Sequence, residues 1–94
     1  MRQRDDDLEA EWASFAQRFA TSLRTARHRA GLSQEDVAYR AGLTRYTYQK
    51  YEKGESRPRH PANPTLRTLL ALSQVLDVAL ADLIPGDPPD LRSR

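Results

Sequence analysis

Arg45, Tyr46, Gln49 and Lys50 fall within one short stretch, and their types and spacing suit recognition of an anion rather than catalysis. They are long cationic or amide-bearing groups with one aromatic among them and few acids nearby. No paired carboxylates, nucleophile–base set or phosphate loop can be assembled elsewhere, so an enzyme is not expected. Cysteine is absent, which removes disulfides and thiolate metal sites. His28 and His60 are the only histidines, too few soft ligands for a zinc site, and no metal or cofactor is expected.

Gln34 to Gly54 must position those groups, and this segment is punctuated as two short helices joined by a tight turn. The Ser33 hydroxyl can cap the free N–H groups that open the first helix. Glu35 and Asp36 place negative charge in its first turn, where the helix dipole favours it. Gly42 stands where that helix should stop, since glycine takes a left-handed backbone without strain. Thr44 is the next N-cap, and the second helix is expected to run to about Lys53 before Gly54 ends it. Small Ala38 and Ala41 flank the turn and let the two backbones approach.

The charge distribution points the same way. Net charge is +2 over 94 residues, but it is unevenly spread. Residues 1–17 hold two Arg against five acids, residues 18–60 hold ten Lys or Arg against four, and residues 61–94 hold three Arg against four. The positive field is therefore centred on the two-helix segment, and a polyanion is the natural partner. The length suits one domain with a small core. No apolar run reaches membrane-spanning length and no signal peptide pattern opens the chain, so a soluble, cytoplasmic protein is expected.

Upstream, Leu8, Trp12, Phe15, Phe19, Leu23, Ala26 and Ala30 recur at steps of three or four, the stripe of an amphipathic helix. One long helix, or a short one followed by another from near Phe15, satisfies the pattern equally. Residues 1–7 are polar and are expected to fray. Trp12 and Phe15 admit two readings, an extension of the core or a contact face for a partner. Downstream, residues 55–64 carry three prolines and no large apolar side chain, which predicts a loop. Thr65 caps a helix bearing Leu66, Leu69, Leu70, Leu72, Val75 and Leu76. A break at Asp77-Val78 precedes a final turn or two, Ala79 to Ile84, and the Pro-rich tail 85–94 is expected to be flexible. Strand-like alternation is nowhere evident. The predicted fold class is all-α, with five helices and room for a sixth.

The segments FATSLRTARHRAGLSQEDVAYRAGLTRYTYQKYEKG and NPTLRTLLALSQVLDVALADLI together resemble the Cro/C1-type (Xre) helix-turn-helix transcriptional regulators. The resemblance covers residues 19–84 and rests on Leu23, Arg27, Gly31, Leu32, Gln34, Val37, Ala38, Gly42, Leu43, Glu52, Gly54, Pro64, Leu66, Leu69, Leu72 and Leu76 in order. It implies a compact five-helix, lambda-repressor-like domain, with residues 1–18 as an N-terminal helical extension and the helix-turn-helix at 34–53. It further implies double-stranded DNA as partner, bound by a homodimer on a pseudo-palindromic operator, with the second helix of the motif in the major groove. On that footing Arg45, Tyr46, Gln49 and Lys50 would face the bases. Arg45 suits a guanine O6/N7 pair and Gln49 an adenine. Gln34, Thr44, Thr47, Arg57 and Arg59 would contact the DNA backbone. Arg27 and Glu52 match a pair that bridges the first and third helices and are expected to be structural, with Arg27 close enough to favour a phosphate as well.

Three departures from the family pattern stand out. Tyr48 occupies a position that usually holds Ile or Val, the loop before Thr65 is several residues longer than usual, and Ala79 replaces the customary Ser or Thr cap. The missing cap should weaken the last helix start by about 1 kcal/mol. With no sensing domain in these residues, regulation would come from abundance, dimerisation or a partner protein. Two further functions fit the same residues. One is an antitoxin-type regulator that also binds a toxin through the Trp12/Phe15 face or the tail. The other is an interaction module that has lost DNA binding.

Overall fold

The computed structural model describes residues 2–92, and Met1, Ser93 and Arg94 lie outside the described residues. The element order is α1 (Arg2–Ala30), α2 (Gln34–Arg40), α3 (Arg45–Glu52), β1 (Glu55–Arg57), β2 (His60–Pro61), α4 (Leu66–Leu76) and α5 (Leu80–Leu83). Five helices enclose one core, and a two-stranded antiparallel ribbon is added to their side.

Between the two arrangements allowed for the upstream stripe, the structure takes the single helix. α1 is 29 residues long, about 43 Å at 1.5 Å per residue, and matches the 44 Å long axis of the molecule. No Gly or Pro interrupts it before Gly31, and its alanines favour helix throughout. It already begins at Arg2, where fraying was expected. Phe15, Ala16, Phe19, Ala20 and Leu23 form its buried stripe.

The turn chemistry of the central unit follows the sequence closely. Ser33 Oγ accepts from the Asp36 amide at 3.0 Å while Asp36 Oδ2 accepts from the Ser33 amide at 3.0 Å, a reciprocal capping box. Those hydrogen bonds from Ser33 hold the Asp36 carboxyl below its usual range. Gly42 takes φ +73° at the end of α2, and Thr44 Oγ1 caps α3 by accepting from the Thr47 amide at 3.0 Å. Thr65 caps α4 in the same way. Asp77, left-handed at φ 55°, ends it. α5 starts at Ala79 with no side-chain cap, as its residue type requires. Instead the Ser22 hydroxyl donates to the Leu83 carbonyl at 2.8 Å and ties that last turn to α1.

Tyr48, Leu23, Leu72, Leu83 and Val37 are the largest fully buried side chains, and with Phe19, Ala38 and Leu76 they make the centre of the core. Every helix contributes to this cluster, so the short α2, α3 and α5, too short to persist alone, are held by packing rather than by propensity.

Two further expectations are corrected. Residues 55–64 are not a plain loop: Glu55 pairs with Pro61 and Arg57 with His60, with an irregularity between the two pairs. Strands of three and two residues are too short to show alternation, and Pro61 sits on an edge where a missing N–H is tolerated. The ribbon is closed by Arg59 at φ 68° and anchored by the Ala62 amide, which donates to the Gly54 carbonyl at 2.8 Å. The tail is also held at its start. Arg18 donates to the Gly86 carbonyl at 2.6 Å and to the Asp87 carbonyl at 2.9 Å, so α1 fixes the chain past Pro85.

The extension is bound to the motif at Gly54. Gln17 Nε2 on α1 donates to the Lys53 carbonyl at 2.8 Å. Gly54 has φ +77°, and a Cβ there would lie 2.6 Å from Gln17 Nε2 and 3.3 Å from the Ala16 carbonyl oxygen. Gln17 could swing aside only by giving up its bond to Lys53, and the α1 backbone cannot. Gly54→Ala should therefore lower stability by about 1–3 kcal/mol from the left-handed backbone strain alone. Thermal unfolding of the variant checks this, and an unchanged melting temperature would refute it.

Candidate nucleic-acid interface

The exposed side of α3 carries the groups singled out in the sequence. Arg45 and Tyr46 are solvent-exposed, Tyr46 at 67 %. Arg45 Nη1 lies 3.6 Å from Glu35 Oε2 with both side chains open to water. Such a pair is worth little and is easily exchanged for a ligand, so the guanidinium remains available. Lys50 Nζ stands 4.6 Å from the centroid of the Tyr46 ring, a cation–π contact that orders both side chains along the helix face. Gln49 is half-buried and donates from Nε2 to Gln34 Oε1 at 3.2 Å.

The groups expected on the DNA backbone divide. Arg57 and Arg59 are exposed on the ribbon, and Arg57 Nη2 lies 3.2 Å from His60 Nε2. Thr44 and Thr47 are occupied with each other, Thr44 Oγ1 donating to Thr47 Oγ1 at 2.9 Å while it caps the helix. Gln34 turns inward: its Nε2 donates to Glu52 Oε1 at 2.9 Å.

Beneath this face lies a buried polar knot centred on Glu52, which is only 3 % exposed. Arg27 grips both carboxylate oxygens, Nε to Oε2 at 2.5 Å and Nη2 to Oε1 at 3.1 Å. Its remaining nitrogen, Nη1, donates to the Leu32 carbonyl at 3.1 Å, so all of Arg27 is spent inside the fold. The expected bridge between the first and third helices is thus present, here as an α1–α3 pair. The Tyr48 hydroxyl also donates to Glu52 Oε2. That contact explains the departure at this position: the ring fills core volume as an aliphatic residue would, and its hydroxyl reaches the one buried acceptor within a helical turn. Arg24 donates to the Glu52 backbone carbonyl and closes the end of α3.

The electrostatics of the knot are coupled. Burial alone would raise the Glu52 carboxyl, but hydrogen bonds from Arg27, Tyr48 and Gln34 outweigh it and hold the group below its usual range. The bond to Glu52 raises Arg27 further, against the opposing effect of burial. Burial first, and then the bond to Glu52, push the Tyr48 phenol well above its ordinary value. Glu52 is therefore charged and Tyr48 neutral at pH 7. Among the described residues no buried side-chain nitrogen or oxygen lacks a hydrogen-bond partner.

Sequence reasoning marked Tyr48 at a position that usually holds Ile or Val but did not see its hydroxyl as a donor, nor Arg24 and Gln17 as caps on the end of α3. An i, i+4 Tyr–Glu spacing is the one signal that pointed to the first. The other two join residues 28 and 36 positions apart, which no local pattern reveals.

A helix-turn-helix domain model matches residues 18–83 of the chain. The chain belongs to the Cro/C1-type helix-turn-helix family of transcriptional regulators. It is 33 % identical over 69 residues to YqaE, an uncharacterised HTH-type transcriptional regulator of Bacillus subtilis, covering 73 % of this chain and 54 % of that protein. A second relative is YonR, an HTH-type transcriptional regulator derived from the SPbeta prophage of Bacillus subtilis. It is 38 % identical over 68 residues, covering 72 % of this chain and 57 % of YonR. The chain thus spans about half the length of the curated relatives it matches. Among solved structures, the restriction-modification controller protein C.AhdI of Aeromonas hydrophila superposes with a TM-score of 0.63 at 34 % identity. That match covers 72 % of this chain and 94 % of that one.

For this helix-turn-helix chain, no group of His, Cys, Asp or Glu among the described residues could hold a metal ion. No described helix is long and apolar enough to cross a membrane.

Proposed function

We propose that the protein is a sequence-specific double-stranded DNA-binding regulator, acting as a repressor in the form of a homodimer on a pseudo-palindromic operator. The observation that carries this reading is the outer face of α3, where Arg45, Tyr46 and Lys50 stand together on a helix braced from behind by the Glu52 knot. α3 enters the major groove, with Arg45, Tyr46, Gln49 and Lys50 toward the base edges. Arg57 and Arg59 on the ribbon follow the phosphate backbone, and Thr44 and Thr47 lie where the helix end meets it. Dimerisation is supported by Leu66 and Leu70, one helical turn apart on α4 and 65 % and 41 % exposed, which self-association would cover. The partner-protein reading of the Trp12/Phe15 face is weaker, because Phe15 is spent in the core and only Trp12 stays half-open.

Selection of bound sites from a random duplex pool tests the proposal. The expected product is a two-part consensus whose half-site centres are about 34 Å apart, one turn of duplex. No enrichment at low salt would end the DNA-binding reading, and enrichment of a single unpaired half-site would end the dimer.

Arg45 and Arg57 should then behave differently. Arg45→Ala is expected to relax preference at one base pair by about 1–3 kcal/mol while sparing the other positions. Arg57→Ala should weaken binding to all sequences alike and make the salt slope shallower by about one. Titrations on consensus and scrambled duplexes at several salt concentrations separate the two. Equal losses on both duplexes for both variants would show that Arg45 does not read a base.

A further inference from the structure

Glu52, Gln34 and Gln49 form a directional chain of hydrogen bonds that leads from the core to the outer face of α3. Each Glu52 oxygen receives two donors: Oε2 takes Arg27 Nε and the Tyr48 hydroxyl, and Oε1 takes Arg27 Nη2 and Gln34 Nε2. A carboxylate has about four acceptor sites, so all of them are engaged and the group cannot rotate. Because an ionised carboxylate can only accept, Gln34 must turn its NH2 end inward and its carbonyl oxygen away. That oxygen is the acceptor for Gln49 Nε2, at 3.2 Å. Gln34 and Gln49 border an open surface cleft of ≈ 310 Å³ together with Arg24, Glu52 and Lys53, so the end of the chain is within reach of a ligand.

We infer that Gln34 is a positioning residue, which transmits the orientation of the buried Glu52 carboxylate to the Gln49 amide and thereby makes Gln49 read adenine. With one N–H held by Gln34, Gln49 is left with its carbonyl oxygen and its second N–H. Those are the acceptor and donor that match the N6 amino group and N7 of adenine in the major groove. Turning the amide round would place two carbonyl oxygens, those of Gln34 and Gln49, against each other. Holding the amide before binding also removes the cost of ordering a free glutamine side chain on the DNA. Tyr48 adds to the device by filling the last acceptor site on Oε2, which locks the carboxylate from which the chain starts. This inference rests on the reading that α3 faces bases.

The test uses the full chain, the duplex consensus from the selection experiment, and the same duplex with each base pair changed in turn. Gln49→Ala should erase a preference of about tenfold or more at one A·T pair. Gln34→Ala should erase most of the preference at that same pair and leave the others, and the double variant should do no worse than Gln49→Ala. Independent losses that multiply in the double variant, or a Gln34→Ala loss spread evenly over all sequences, would overturn the inference. A second readout needs no DNA. In the free protein the Gln49 side-chain amide protons should give a separated, shifted pair of NMR signals that moves to the position of a free glutamine in Gln34→Ala. A Gln49 pair that is already at the free position in the unaltered protein would overturn the inference, even if DNA binding stands. If the pair is held but no sequence is selected, base reading itself is what fails.

Discussion

Replacing Glu52 with Ala is expected to cost about 3–5 kcal/mol of folding stability, the loss typical of breaking a buried, hydrogen-bonded ion pair from one side. The variant strands the Arg27 guanidinium, which is 12 % exposed, and leaves the Tyr48 hydroxyl and the Gln34 amide without their acceptor. Against a typical total of about 5–15 kcal/mol for a domain, that is a large share of the whole. Removing Arg27, Tyr48 and Glu52 together should hurt much less, since half-buried Gln34 can turn its amide to water. A triple variant, Arg27→Met, Tyr48→Phe and Glu52→Leu, exchanges the knot for apolar packing of similar volume, and such exchanges are often near neutral. Denaturant unfolding of the two proteins makes the comparison. If Glu52→Ala lost under about 1 kcal/mol, the knot would be solvated rather than buried, since surface pairs are worth no more than that.

The same knot sets a pH window. The Glu52 carboxyl is depressed in the folded chain relative to its ordinary value of 4.5. Its contribution is thus fully present above that value and is lost as pH falls through the folded one. The Tyr48 phenol is raised above its ordinary value of 10.0, so its contribution is present below that pH and is lost as pH rises beyond it. Stability should therefore fall on both the acid side of 4.5 and the alkaline side of 10.0. Tyr48→Phe should flatten the alkaline limb without removing the acid one. An alkaline limb of undiminished steepness in Tyr48→Phe would assign it to other groups.

Phe15→Ala is the second substitution expected to have a large effect, about 3 kcal/mol of lost stability. For a domain of this size that is a drop in melting temperature on the order of 15 °C. Phe15 is 8 % exposed, its ring stacks against Trp12 at 5.5 Å between centroids, and the Arg18 guanidinium lies 5.1 Å above it. Together with Phe19, Pro64, Leu69 and Ile84 it walls a small, partly open apolar pocket of ≈ 80 Å³, so truncation enlarges an existing gap. Trp12→Ala, on the open rim of the same wall, should cost less. Calorimetry on both variants decides whether the N-terminal extension is part of the folding unit. Equal melting temperatures for Phe15→Ala and the parent chain would make it an appendage.

Much of this molecule could be read locally. Ser33, Thr44 and Thr65 cap the helices that their positions announce, because a hydroxyl next to an opening helix has the free N–H groups of that helix within reach. The spacing of Phe15, Phe19 and Leu23 marked the buried side of α1, and the resemblance assigned the Arg27–Glu52 pair before any geometry was known. Arg45, Tyr46 and Lys50 are outward because the apolar residues of α3 leave them no other side.

What the chain order could not settle were contacts between residues far apart in it. The stripe left one helix or two open, and the single helix carries Gln17 to Lys53 and Arg18 to Gly86, contacts that exist only once α1 lies along the rest of the fold. The ribbon at 55–61 is too short to have a pattern, and it is closed by buried Ala62, which donates back to the Gly54 carbonyl. Gln34 was assigned to a phosphate by its place in the motif. The packed structure adds a bond that the motif did not announce, to Glu52, 18 residues away. A buried carboxylate must collect donors from wherever the fold supplies them, and that demand is set by burial, a property of the folded molecule rather than of any segment.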